Sequence, residues 1–491
     1  MNQKANSIIR VSILFMFMAG CSTDGNEDTS ILEDGIRIEV EAPQLNGWGT
    51  EENSYTRSGA AISVQQKGED GLDMKVDLLS DTAGTFTDKA TTRWTNMDDN
   101  TVFRVVAYAC TSAATITTSN YKGYGDYKLL TNGTVQTVKS LTLPLGTYTF
   151  ICYSYGNSTT LSAFSNTTTS ITATNGDNFM TCVKPNITID NIGSTYTLSN
   201  ITFTHHCARY RVSAAAQSGR MANITACAAT LTLPANSATY SFTNNAFTAN
   251  TTAETIALVW KNLDAMTVHS NYVYLLPQSG KNLTVKLNLT IGGKGFNNKS
   301  IALTGITLNA NGTYRSIVSF TTTEGYIVGG SMWANGNLYY NGVFSIYGAM
   351  TEFSSSRGQD FWYWDALYPS SAFGNSATTW AQERDPCRKV APANNWRLPK
   401  LSEYDALLKG AKHASIDGKN GIQVDNILFF PVTGYYPPDD IYSTPERGLY
   451  WAQDRQTANG NMFDFQYPLY VTLNASNNAK NAMTIRCVRN I

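Results

Sequence analysis

At 491 residues the chain is long enough for roughly two to four domains, each able to bury a core. A net charge of -1, with charged residues at only 15%, excludes the basic footprint of a nucleic-acid binder and a strongly acidic partner surface. Thr, Ser, Asn, Gly and Tyr are abundant, a composition suited to short strands and turns.

The chain opens with Lys4 and Arg10, an apolar run over residues 11–18, then Met18-Ala19-Gly20-Cys21. The run is too short for a spanning helix and fits an export signal, residues 1–20, cut before Cys21. The arrangement resembles the lipobox of bacterial lipoproteins. That resemblance implies acylation of Cys21 and anchoring to a membrane through lipid; an ordinary signal with an incidental cysteine is the alternative. No later apolar run is long enough to span a bilayer. The polar, acidic stretch after Cys21 reads as a flexible tether, and its acidic residues resemble the surface-export signal of Bacteroidetes lipoproteins.

From residue 36 to 320 the pattern has period two. In residues 282–291, Leu283, Val285, Leu287, Leu289 and Ile291 face one side, and Asn282, Thr284, Lys286, Asn288 and Thr290 the other. Similar runs cover residues 102–109, 147–155 and 208–214, separated by turn clusters such as Thr131-Asn132-Gly133. Many short strands predict β-sandwiches, and the length predicts two, with a boundary where Pro185 interrupts the pattern. The expected division is a tether and first strand over 21–57, sandwiches over 58–183 and 184–323, and a different domain over 324–491.

Past residue 323 tryptophans crowd: Trp333, Trp362, Trp364, Trp380, Trp396 and Trp451. A short helix is predicted over 377–385, ended by Pro386. A second follows Pro399, capped by Ser402 with Asp405 as its box partner, and presents Tyr404, Leu407, Leu408 and Ala411 on one face.

Of eight cysteines, removing Cys21 leaves seven, so at least one stays unpaired within the chain. Cys110, Cys152, Cys182, Cys207 and Cys227 fall mostly in apolar alternating stretches and read as small buried hydrophobes. No zinc spacing is present, and adjacent His205 and His206 point to opposite faces of a strand, one expected buried and one exposed.

Three passages resemble the fimbrillin superfamily of Bacteroidetes pili. They are residues 203–212 (FTHHCARYRV), residues 274–279 (YLLPQS) before an alternating strand, and the N-terminal order of lipobox, acidic tether, strand over 36–41 and Tyr55-Thr56-Arg57-Ser58. The resemblance implies a mainly β fold with two tandem transthyretin-like sandwiches. It also implies assembly with other fimbrial subunits by strand donation: proteolysis after Arg57 removes Ile36, Ile38 and Val40 with their strand, and a neighbour's strand fills the groove.

The last domain resembles the Fibrobacter-type paralogous domains. The carrying residues are Asp385-Pro386-Cys387, Asn395-Trp396-Arg397-Leu398-Pro399, Ser402-Glu403-Tyr404, Gly434-Tyr435-Tyr436, Tyr450-Trp451-Ala452 and Ile485-Arg486-Cys487-Val488-Arg489. An insertion over 388–393 and Tyr404 in place of a tryptophan depart from the pattern. The resemblance implies an α+β, C-type-lectin-like or formylglycine-enzyme-like fold and a Cys387–Cys487 disulfide, which an exported chain permits. Closing a loop of about 100 residues would contribute about 4–5 kcal/mol in the chain-entropy model.

No catalytic constellation and no cofactor or metal set stands out, so the chain reads as a non-enzyme. Asp439 and Asp440 alone do not build a calcium shell. Binding has support in the aromatic clusters Trp362, Tyr363, Trp364 with Asp365, and Tyr435 with Tyr436, which could contact a glycan or protein ligand. Trp396 and Trp451 are expected in the core, and Trp362 and Tyr363 are the candidates for exposure. Because a shaft subunit of the resembled pilus lends its C-terminal extension, a chain whose last strand sits inside a bridged domain reads as a tip adhesin at the outer membrane surface. A surface glycan-binding lipoprotein that never joins a pilus is the alternative. Asp81-Thr82-Ala83 also matches a short glycosylation pattern.

Overall fold

A computed structural model describes residues 35–46, 48, 62–81, 94–190, 194–369, 380–437, 446–456, 459–479 and 481–489; the lipobox with Cys21, Arg57, Thr82 and the Asp439-Asp440 pair lie outside the described residues. The protein is mainly β, with few and short helices.

The strand Val102–Tyr108 explains the first layer. Its sequence, VFRVVAY, does not alternate, and every residue is buried. A strand like this needs cover on both faces. It sits inside an eight-stranded sheet with Gly146–Ser154 on one side and Tyr121–Leu129 on the other. One face carries Phe103, Val105, Ala107, Phe150, Cys152 and Cys182 into a core closed by Ile36, Ile38, Val40, Leu143 and Leu198. The other carries Val106, Tyr108, Ile151 and Tyr153 into a core closed by Ala173, Ala238, Tyr240 and Phe242. Arg104 lies on that second face. Its guanidinium donates to Asp126 at 2.6 and 2.9 Å and to the Ser162 carbonyl at 2.6 Å, so the buried cation is paired.

A third core lies between two further sheets. One contains Ala208–Ala216 and Thr313–Thr321 as parallel neighbours. The other is a four-stranded layer that includes Ile224–Leu233, Gln278–Ile291 and Lys294–Leu308. The expected alternation holds: Leu283, Val285, Leu287, Leu289 and Ile291 are all buried.

The division between the layers differs from the sequence expectation in two places. The hairpin of Ile62–Gln66 and Asp73–Asp81 joins the second sandwich, where Asp73–Asp81 pairs along Thr313–Thr321. Pro185 does not end a sandwich either. It lies within Met180–Ile189, where the register against Gly146–Ser154 shifts and Asn186 takes φ 54. A bulge is where a strand tolerates proline. The first sandwich therefore continues to Thr202–His205, and the second resumes at Ala208.

The last unit, the head, holds a sheet ordered Gly325–Val328, Ser331–Ala334, Val488–Arg489, Trp396–Arg397. Two three-stranded sheets, two two-stranded sheets and the helix Leu401–Leu408 pack with it. The helix is capped two residues earlier than expected: Lys400 N donates to Glu403 at 2.8 Å, and Ser402 lies inside. In the described part of the helix predicted over 377–385 there is only a 3-10 turn, Gln382–Arg384, followed by a second, Pro386–Lys389. Ile327 and Met332 reach down into the second sandwich's core. Gly330 N donates to the Gly292 carbonyl at 2.6 Å, and a Cβ on Gly292, whose φ is +55, would meet the Ile327 carbonyl oxygen at 2.7 Å. Only glycine allows that approach.

Candidate functional site

Two places bear on function: the seat of the first strand and the surface of the head. Ile36–Val40 lies between Thr195–Leu198, parallel to it, and Thr142–Leu143, antiparallel. Alternation sets its two faces. Ile36, Ile38 and Val40 are buried in the core above the eight-stranded sheet. Arg37 and Glu39 point out and pair with each other at 2.8 Å. Beside the strand pairing, Arg37 N donates to Ser194 O at 3.1 Å, Ile38 N to Leu141 O at 2.9 Å and Glu41 N to Leu198 O at 3.1 Å. The fully buried Tyr127 adds one from below, its hydroxyl donating to the Ile38 carbonyl at 2.8 Å. Burial pushes that phenol up, with Cys152 the next largest influence.

The same N-terminal segment makes two further contacts. Gln44–Asn46 inserts between Thr202–His205 and Trp94–Asn96. The Trp48 ring stacks on His205 at 4.0 Å and lies under the Arg209 guanidinium at 5.3 Å. Everything up to Trp48 thus precedes Arg57, the expected processing residue.

The histidines fill packing roles. His205 Nδ1 bonds Asn178 Oδ1 at 2.7 Å, and His206 Nε2 bonds Thr181 Oγ1 at 2.6 Å. His206 is half-buried between the sandwich layers rather than exposed as expected, because Phe179, Tyr240 and Phe247 pack around it. Burial lowers both imidazoles to about 4. Among the described residues no group of three His, Cys, Asp or Glu side chains is placed to hold a metal ion.

In the head, Cys387 and Cys487 form the disulfide, tying the turn Pro386–Lys389 to the residue before Val488–Arg489. Beside it Arg486 is wholly buried. Its guanidinium donates to Asn337 Oδ1 at 2.8 Å and to the carbonyls of Ala334, Met350 and Phe429 at 3.2–3.3 Å. Asp385 accepts from Cys387 N at 3.0 Å and Leu398 N at 2.9 Å, yet burial still raises it to about 6.

The aromatic ligand candidates are corrected here. Trp362, Tyr363, Trp364 and Asp365 are all buried, at 2% exposure or less. The reason is structural: Trp362–Tyr363 pairs with Ala482–Met483, and the indoles fill the head's core. Trp364 Nε1 donates to the Ala452 carbonyl at 3.0 Å. Asp365 is occupied by Ala381 N at 3.0 Å and Arg384 Nε at 2.8 Å. Trp396 and Trp451 are buried as expected. Tyr435 is half-buried, and Tyr436 is held by its hydroxyl on the Ser355 carbonyl at 2.6 Å and by edge contact with Phe361.

A partly exposed aromatic cluster lies elsewhere, at the hairpin of Leu338–Tyr340 and Phe344–Ile346, whose inner side packs on the head's core. Tyr340, Phe344 and Tyr368 form a triad with centroids 4.9–5.4 Å apart. Tyr368 is 41% exposed and Val343, at the turn, 64%. Sequence reasoning passed over this hairpin, although Asn341-Gly342 between aromatic runs is a tight-turn signal.

No protein-family model and no curated protein matches the chain. Solved structures do align with it. A candidate cell adhesion protein of Bacteroides fragilis is 14% identical, over 59% of this chain and 97% of that one, with a TM-score of 0.38. One of Bacteroides ovatus is 14% identical over 59% and 96%, with a TM-score of 0.33. The fimbrial anchor protein Mfa2 of Porphyromonas gingivalis is 13% identical over 40% and 74%, with a TM-score of 0.25. Among the described residues no helix is long and apolar enough to cross a membrane.

Proposed function

We propose that the chain is a fimbrial subunit of the fimbrillin type, exported as a lipoprotein through Cys21 and matured by cleavage after Arg57. It works by assembly and binding rather than catalysis. The observation that carries the reading is the seat of Ile36–Val40: a short strand with three buried apolar side chains, two pairing edges and an outward charged face, in a segment ahead of Arg57. Its departure would leave an apolar groove between two unpaired edges, the geometry that an added strand fills. A neighbouring subunit's strand must then supply apolar residues at alternate positions and a main-chain carbonyl where Tyr127 now holds Ile38.

The head is the proposed adhesive end. Val488–Arg489 is flanked on both sides by strands, so that strand itself is not free to be lent to a neighbour. The Tyr340, Phe344 and Tyr368 face is the proposed contact for a glycan or protein ligand, because aromatic rings with polar edges suit both. The mass of the N-terminus on chains recovered from the cell surface tests the assignment. A start at Ser58 in chains that co-purify with fimbriae is expected. A start at acylated Cys21 throughout would replace it with a permanently anchored surface glycan-binding lipoprotein.

A further inference from the structure

Beneath the first strand lie two cysteines that the disulfide of the head leaves out. Cys152 and Cys182 are opposite each other on the antiparallel strands Gly146–Ser154 and Met180–Ile189. Both belong to the core that Ile36, Ile38 and Val40 close, so both side chains leave the same face of the sheet. Directly opposed residues in an antiparallel pair have Cα atoms about 4.5 or about 5.5 Å apart. Either value lies inside the roughly 4.4–6.8 Å that a disulfide bridges without backbone movement. Their interaction draws the Cys182 thiol down to about 7 and pushes Cys152 up. Among the described strand pairings no other two free cysteines stand in register.

We propose that Cys152 and Cys182 are a second disulfide site, closed in the export compartment while the seat of Ile36–Val40 is open. Cys182 as thiolate attacks a protein disulfide of a thiol–disulfide oxidoreductase; that S–S bond breaks and one thiolate leaves. Cys152 then gives up its proton and attacks the mixed disulfide, releasing the second thiolate. Two cysteine thiols are oxidised, one donor disulfide is reduced to two thiols, and the protons pass to the leaving groups. Access sets the timing. Cys152 is 0% and Cys182 9% exposed with the strand in place, so exchange needs the seat to be empty. The bond would pin the floor of the groove by joining two central strands.

The pairing is tested on the full chain isolated from the export compartment, alkylated with iodoacetamide in denaturant without reduction and digested. A peptide linking Cys152 to Cys182 is expected beside the Cys387–Cys487 peptide, which serves as internal control. Alkylation of both thiols, or linkage of either to a different cysteine, overturns the site. The timing rests on the strand being displaceable, as proposed above, and is read separately. Reduced, refolded full chain is titrated with a small aromatic disulfide, with and without Ile38→Asp. Reaction more than about tenfold faster in the variant is expected, the factor that about 1.4 kcal/mol of lost docking gives. Equal rates overturn the gating, and do so without touching the linked peptide.

Discussion

Replacing Ile38 with alanine tests whether the first strand can leave without the domain coming apart. Ile38 is wholly buried at the centre of Ile36–Val40. Three such side chains contribute about 1.5–3 kcal/mol each when buried, an upper bound because the unfolded chain already buries part of its surface. Truncating the middle one costs about 2–5 kcal/mol, transfer and cavity together. That is a large share of what seats the strand, and a small share of a core that also holds Phe103, Val105, Phe150 and Phe203. Hydrogen exchange read by mass spectrometry separates the two. In Ile38→Ala the amides of residues 36–40 should lose protection by about thirtyfold to several thousandfold, at 1.4 kcal/mol per decade. Those of Val102–Tyr108 should change far less. Glu39→Ala, on the exposed face, should stay within about 0.5 kcal/mol. If the strand and Val102–Tyr108 lose protection together and equally, the strand opens only with global unfolding, and strand replacement has no physical basis here.

Reducing the Cys387–Cys487 bond, whose partners are 100 residues apart, should lower the head's stability by about 4–5 kcal/mol and leave the sandwiches' transition in place; calorimetry with and without reductant reads it. Arg486→Lys should cost at least about 3 kcal/mol in urea unfolding, because a compact ammonium leaves several buried carbonyls without donors at about 1–3 kcal/mol each. Asp360 and Asp385 are both raised to about 6 by burial, so between their ordinary 3.8 and about 6 the folded head holds protons that the unfolded chain releases. Head stability should therefore fall as pH rises through that window and level off above it, and the slope should shrink in Asp360→Asn with Asp385→Asn. Glu403, lowered by Arg397 and Ser331 against its burial, acts in the opposite sense below its ordinary 4.5 and so offsets part of the slope at the low end of that window. Tyr368→Ala, at the exposed corner of the triad, should weaken adhesion while leaving the melting curve close to wild type; unchanged adhesion would move the binding face elsewhere.

Much of the strand content was legible because alternation reports which residues face a core. Residues 282–291 read correctly for that reason. Alternation does not report which strand lies alongside, and so nothing in residues 62–81 announced that the hairpin would join the second sandwich. Pro185 looked like a boundary because a proline removes a ladder donor; the bulge with Asn186 absorbs the loss. The candidate site divided in the same way. The buried positions of the first strand and the cysteine pairing of the head followed from pattern and resemblance. The tryptophan-rich run did not, since Phe361-Trp362-Tyr363-Trp364 carries the same letters whether it lines a surface or fills a core. Burial was decided by the distant partner strand Ala482–Met483.

The hairpin in the second sheet has a mechanical consequence. Among the described elements the polypeptide passes between the two sandwiches five times: after Gln44–Asn46, after Asp73–Asp81, between His205 and Ala208, and on either side of the hairpin of Ser237–Ser241 and Ala246–Ala249, which leaves Ile224–Leu233 to pair with Ser170–Thr174 and returns to Glu254–Leu258. Beads on one thread swivel; bodies stitched several times resist bending and torsion. Cutting after Arg57 would sever the first stitch and leave four, so maturation would free a strand while the two sandwiches stay joined.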